Sequence, residues 1–134
     1  MAVFNKFNSW AEVMVEAANL GSDTFIVALT NTLPTAGNSI LTDISQISYT
    51  NLSSRTLTTA SSSQTGGVYS LVFNDLVLTA SGAVAAFRYV VIYDDTVTSP
   101  ADPLVGWYDY GSAVSMTNGE TFTIDFGANA LTVT

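Results

Sequence analysis

Two hydrophobic periods divide the chain. Near the N-terminus, Trp10, Val13, Met14, Ala17 and Ala18 recur at the i, i+3, i+4, i+7, i+8 spacing that lays one apolar stripe along a helix. Ser9 stands three residues before Glu12, the spacing of a capping box in which each side chain satisfies the other's backbone N–H. Gly21 follows, a residue able to take the left-handed conformation that ends helices. The spacing predicts a helix over about residues 10–19.

From residue 24 the period falls to two. Phe122, Ile124 and Phe126 alternate with Thr121, Thr123 and Asp125, one face apolar and one polar. Strand-like runs occupy 24–31, 55–60, 68–74, 75–80, 85–94, 104–111, 121–126 and 130–133. The stretch 61–67, SSSQTGG, reads as turn or loop, and 32–53 mixes turn residues with Ile40, Leu41, Ile44, Ile47, Tyr49 and Leu52. Roughly seven to nine short strands with turn signals every ~8–12 residues describe a sandwich or jelly roll. The expected fold is therefore mainly β: residues 1–134 as one antiparallel β-sandwich or jelly-roll-like domain, with a single N-terminal α-helix and strands from about 24 to 133. The run 87–93 is apolar at both parities, which predicts a central strand whose outer face is covered by the helix or by a second protein.

Composition narrows the function classes. The chain has 134 residues, enough for one core without a disulfide or metal staple. Charged residues make up only 10%, against about 25% in ordinary soluble domains. Thr, Ser, Ala and Asn fill the deficit, a neutral surface that suits packing against other proteins. The net charge is −8, with eleven acids against Lys6, Arg55 and Arg88. No basic cluster exists to track phosphates, so neither nucleic acid nor an anionic membrane is an expected partner. A basic protein surface or a divalent cation would suit the acidic balance better. The chain has no cysteine and no histidine, which excludes disulfides, thiolate chemistry, the usual zinc sites and every histidine-based triad. Asn, Lys, Ser and Glu interrupt the opening residues, so they do not read as a signal peptide, and no run approaches the ~18 apolar residues of a membrane span. The protein is expected to act without Sec-type export.

Four groups of residues could carry chemistry. Asp94 and Asp95 are adjacent, so on a strand they point to opposite faces and cannot flank one glycosidic bond as a pair. Asp109, Glu120 and Asp125 are scattered, and read as solvated or paired strand acids. Asp94, Asp95 and Asp102 could offer oxygens to calcium, but the spacing matches no EF-hand and turn chemistry explains them better, with Pro100 and Pro103 stiffening the same loop. Trp107, Tyr108 and Tyr110, with Tyr89 and Tyr93, could fill a core, face a protein or stack on a sugar. Trp107, Tyr108, Tyr110 and Arg55 are the candidate interface residues. Finally, Arg88 lies within the apolar run 87–93. A simple hairpin centred between residues 98 and 99 would set Arg88 opposite Asp109, and a structural ion pair is the expectation. No catalytic residue, cofactor or metal site is assigned.

The stretches FNKFNSW, SDTFIVALTNTLP, SSSQTGGVYSLVF, ASGAVAAFRYVVIYDD, DPLVGWYDYG and GETFTIDF resemble a family of small virion proteins of tailed bacteriophages, from Phe4 to Phe126. The resemblance implies a capsid decoration, or cement, protein: a non-enzymatic β-sandwich without cofactor, docked on the outer capsid surface of the virion. Its expected partner is the major capsid protein, and its expected state a homo-oligomer, dimer or trimer. A head- or tail-fibre-associated virion protein and a glycan-binding β-sandwich module are the alternatives. The resemblance assigns no functional residue.

Overall fold

Backbone pairing sorts the chain into three antiparallel sheets. The computed structural model describes residues 2–127 and 130–133; the expected span 1–134 thus includes positions 1, 128, 129 and 134, which lie outside the described residues. In chain order the elements are β1 (Phe4–Lys6), α1 (Trp10–Glu16), β2 (Phe25–Thr30), a 3-10 turn at Leu41–Asp43, β3 (Thr59–Thr65), β4 (Val68–Phe73), β5 (Leu76–Thr79), β6 (Val84–Asp94), β7 (Leu104–Met116), β8 (Thr121–Ile124) and β9 (Leu131–Val133). The sheets run β1-β7-β6-β2, β3-β4-β9 and β5-β8. The fold is mainly β and sandwich-like, with a single α-helix among the described residues.

Aromatic contacts join the layers. Phe25 of the four-stranded sheet meets Phe73 of the three-stranded one at 5.4 Å between ring centres, and Phe87 meets Phe122 of the two-stranded one at 5.4 Å. The helix closes this core with Trp10 and Val13, and Trp10 stands edge-on to Phe25.

β6 lies between β7 and β2, and from Tyr89 to Asp94 both of its faces are dry. Val90 and Ile92 enter the main core, while Val91 and Tyr93 enter a second cluster with Phe7, Ala28, Ile44 and Leu104. The cover over that second face is neither the helix nor a partner. It is the chain's own irregular segment around 39–47, held by Leu41 N–H to Asp102 O (3.0 Å), Leu104 N–H to Ser39 O (2.9 Å) and Ile47 N–H to Leu29 O (3.0 Å). Leu41 and Ile44 of this segment supply apolar cover without any regular period, which is why the sequence pattern leaves it ambiguous.

Three elements differ from expectation. The helix stops at Glu16 instead of reaching residue 19, because the N–H groups of both Ala17 and Ala18 converge on Val13 O, each at 2.9 Å, and break the repeat. Ser9 sits in helical geometry (φ −67°, ψ −20°), so its hydroxyl makes no cap bond and the capping box does not form. Residues 61–65 are strand, not loop: β3 pairs with β4 through Ser63↔Ser70, Gln64↔Tyr69 and Thr65↔Val68. Gly66 and Gly67, at φ +60° and +83°, supply the two left-handed positions of a tight hairpin turn. A run of serines carries no hydrophobic alternation, so its period was hidden. Its one inward position is betrayed by structure alone, where Ser62 Oγ lies 2.7 Å from the Tyr69 hydroxyl.

Candidate functional site

Arg88 and Asp109 form a two-pronged ion pair. Arg88 Nε donates to Asp109 Oδ1 at 2.8 Å and Nη2 donates to Oδ2 at 3.1 Å. The register is not the one a simple hairpin gives. Asp109 stands opposite Tyr89, and the ladder then jumps to Phe87↔Val114. A one-residue slip would place Arg88 and Asp109 on opposite faces. The irregularity around Gly111, at φ +85°, returns them to one side, and Gly111 N–H donates to Asp109 Oδ1 at 2.8 Å. The pair is also not buried: the two side chains keep 38% and 36% of their exposure. The Arg88 hydrogen bond, followed by that of Gly111, holds the Asp109 carboxyl below the usual carboxylate range. Two of the three guanidinium nitrogens, Nε and Nη2, are spent on Asp109.

The aromatic residues do not form one exposed platform. Tyr108 is buried between Phe4 (5.5 Å) and Phe126 (6.1 Å), and burial pushes its hydroxyl up to about 12. Tyr110 packs on Phe122 at 5.1 Å. Trp107 is half-buried on the opposite face, stacked against Phe7 at 4.7 Å. Strand alternation separates Trp107 from its two neighbours. Arg55 is engaged elsewhere: its guanidinium carbon lies 3.5 Å above the Tyr49 ring and its Nη1 donates to Val27 O. Of the four candidate interface residues, the fold sets only Tyr108 and Tyr110 on one face, and there Tyr108 is buried.

The acids at the end of β6 divide by parity, as expected. Asp94 is fully buried and Asp95 exposed. Among the described residues no group of three or more acids gathers in metal-ligating geometry. Asp94 Oδ1 accepts from the N–H groups of Thr96 (3.0 Å) and Val97 (3.4 Å), the turn chemistry expected of an aspartate at a strand end.

A concavity lies where the sequence pattern gives no warning. A groove of about 570 Å³ runs between the end of α1 and the β3–β4–β9 sheet, lined by Met14, Val15, Ala18, Leu20, Tyr69 and Val133 among others. Val15 is 80% exposed beside it and Val133 37%. Nothing in the periodicity separates these residues from ordinary helix and strand positions. The signal that existed was compositional: β3, β4 and β9 together contain no charged residue.

No family model, no curated protein and no solved structure matches the chain.

Proposed function

We propose that the protein is a structural component of a tailed-phage virion, a decoration or cement protein that binds the outer surface of the assembled head and bridges neighbouring capsomers. The observation that carries this reading is the β3–β4–β9 sheet: a sheet without charge, rich in Ser and Thr, beside an apolar groove bordered by exposed Val15 and Val133. Interfaces between proteins are marked by loss of charge at their centre, and a contiguous apolar patch on a small domain marks a contact surface. The sequence stretches that resemble small phage virion proteins supply the nature of the partner, the major capsid protein.

The mechanism is mass action. A protein that binds only the intact shell shifts the equilibrium away from rupture, and many weak contacts around one shell act multivalently. Dimers or trimers of the chain would bridge capsomers most directly. No chemical step is required, so the reading is non-enzymatic and needs no cofactor. The test is co-sedimentation of the purified protein with undecorated capsids, alongside its oligomeric state in solution. Saturable binding to capsids and none to dissociated capsid subunits is the expected result; a protein left wholly in the supernatant overturns the reading.

A further inference from the structure

Asp94 is the one carboxyl of the described residues that is wholly removed from water, with a relative exposure of 0%. Its Oδ1 is satisfied by Thr96 and Val97, but its Oδ2 meets no hydrogen-bond donor. The ladder explains what it faces. Asp94 stands opposite Phe25, so its side chain points to the core face with Val90 and Ile92. Asp23, two residues before Phe25, is then its diagonal neighbour on the same face, within side-chain reach.

Asp23 also anchors the loop that leaves the helix. Its Oδ2 accepts from Asn19 N–H at 3.0 Å, its own N–H donates to Asn19 O at 2.8 Å, and Gly21 N–H donates to Asn19 Oδ1 at 3.2 Å. Ala18, Asn19, Leu20 and Gly21 form one wall of the apolar groove. Asp23 thus stands between the buried end of β6 and the groove wall.

Two carboxyl groups attract only while one of them keeps its proton; ionised together in a dry site they repel. Burial, then the facing Asp23 carboxyl, raises Asp94 to about 7. The other surroundings supply no counter-charge. α1 presents Trp10 and Val13, β2 presents Phe25, and β7 presents Val105. Asp95, a further acid of this end, acts on Asp102, and both act on Tyr93. Arg55 is engaged with Tyr49 and Tyr93.

We propose that Asp23 and Asp94 form a proton-operated latch: a proton held between the two carboxyls fixes the 19–23 loop on the end of β6, and its loss to solvent frees the loop and loosens the groove wall. The inference concerns the groove's shape and does not depend on which partner the groove meets.

Hydrogen exchange at the amides of Asn19, Gly21, Ser22 and Asp23, corrected for intrinsic rates, tests it between pH 5 and 8.5. Closed, the pair holds a proton that the open form releases, so the protection factors should fall about tenfold per pH unit below about pH 7 and level off above it. The amides of Val90 and Val91, in mid-strand, should lack this local slope. Asp94→Asn keeps the oxygen that Thr96 and Val97 require while removing the titration, and should abolish the slope; if that variant folds poorly, Asp23→Asn, which removes the facing carboxyl and leaves Asp94 buried, should move the levelling-off point to lower pH. A flat profile in the unaltered protein, or an unchanged profile in both Asn variants, overturns the latch.

Discussion

Arg88 holds Asp109 across a break in the β6–β7 ladder, not across a rung. The residue directly opposite Asp109 is Tyr89, and the pair closes only because the strand is irregular beside it. The two side chains are more than a third exposed, so solvent screens their attraction. A double-mutant cycle with Arg88→Met and Asp109→Leu should show non-additive thermal stabilities. The coupling should shrink as salt rises, because exposed charges are screened over about 8 Å at physiological ionic strength. Additive losses at low salt would show that the contact contributes nothing.

Trp10 is completely buried against Phe25 at the open side of the sandwich. Trp10→Ala should cost about 3–5 kcal/mol in urea or thermal unfolding, the range for emptying a large aromatic site. An unchanged midpoint would mean that the helix does not close the core in solution.

Gly106 lies where β1 crosses closest to β7. A methyl group there would run into the Phe4 ring and come within 2.7 Å of Asn5 O. Gly106→Ala should therefore destabilise by about 1–3 kcal/mol through overpacking, and should loosen β1 first. Gly37 has nothing within 4 Å of the same position, so Gly37→Ala is the control. Equal stabilities for the two variants would contradict the close approach.

The pH optimum of stability follows from opposed shifts. Asp109 is lowered by Arg88, Asp43 by the N–H groups of Ser39 and Ile40, and Glu120 by Thr117. Each contributes stability above its unfolded value that is lost as the pH falls through its folded one. Asp94 runs the other way, raised to about 7 by burial and by Asp23. Its contribution is intact below its unfolded value and declines as pH rises to its folded one. The melting temperature should thus peak on the acid side of neutrality, between about pH 4 and 6, and Asp94→Asn should move the peak toward neutrality. A peak at or above pH 7 in the unaltered protein would contradict this assignment.

Much of the β architecture was legible because burial imposes a period. The alternation at Phe122 and Ile124, and the doubly apolar run 87–93, each led to the right kind of strand. What was hidden lacked such a period. Ser61 to Thr65 form a strand whose residues carry no hydrophobic contrast, and the segment around Leu41 and Ile44 covers the sheet without regular structure. The parity of Asp94 and Asp95 was readable, since neighbours on a strand face opposite ways. The contact with Asp23 was not, because it depends on the β2–β6 register across seventy intervening positions, roughly, that local pattern cannot set. The Arg88–Asp109 pair shows the same limit from the other side: the partners were inferable from charge, but the register that joins them includes a bulge no hairpin count contains.

Docking of the groove beside the uncharged β3–β4–β9 sheet on a capsid can be measured directly. Co-sedimentation with undecorated capsids should be compared for the unaltered protein and for Val15→Glu and Val133→Glu. Both positions are solvent-facing at the groove, so each variant should keep its fold and melting behaviour. The account predicts capsid binding for the unaltered chain and a loss of about tenfold or more for each variant, since burying an unpaired charge in an interface is costly. Binding that is absent from the start, or equally tight in all three proteins, would contradict it.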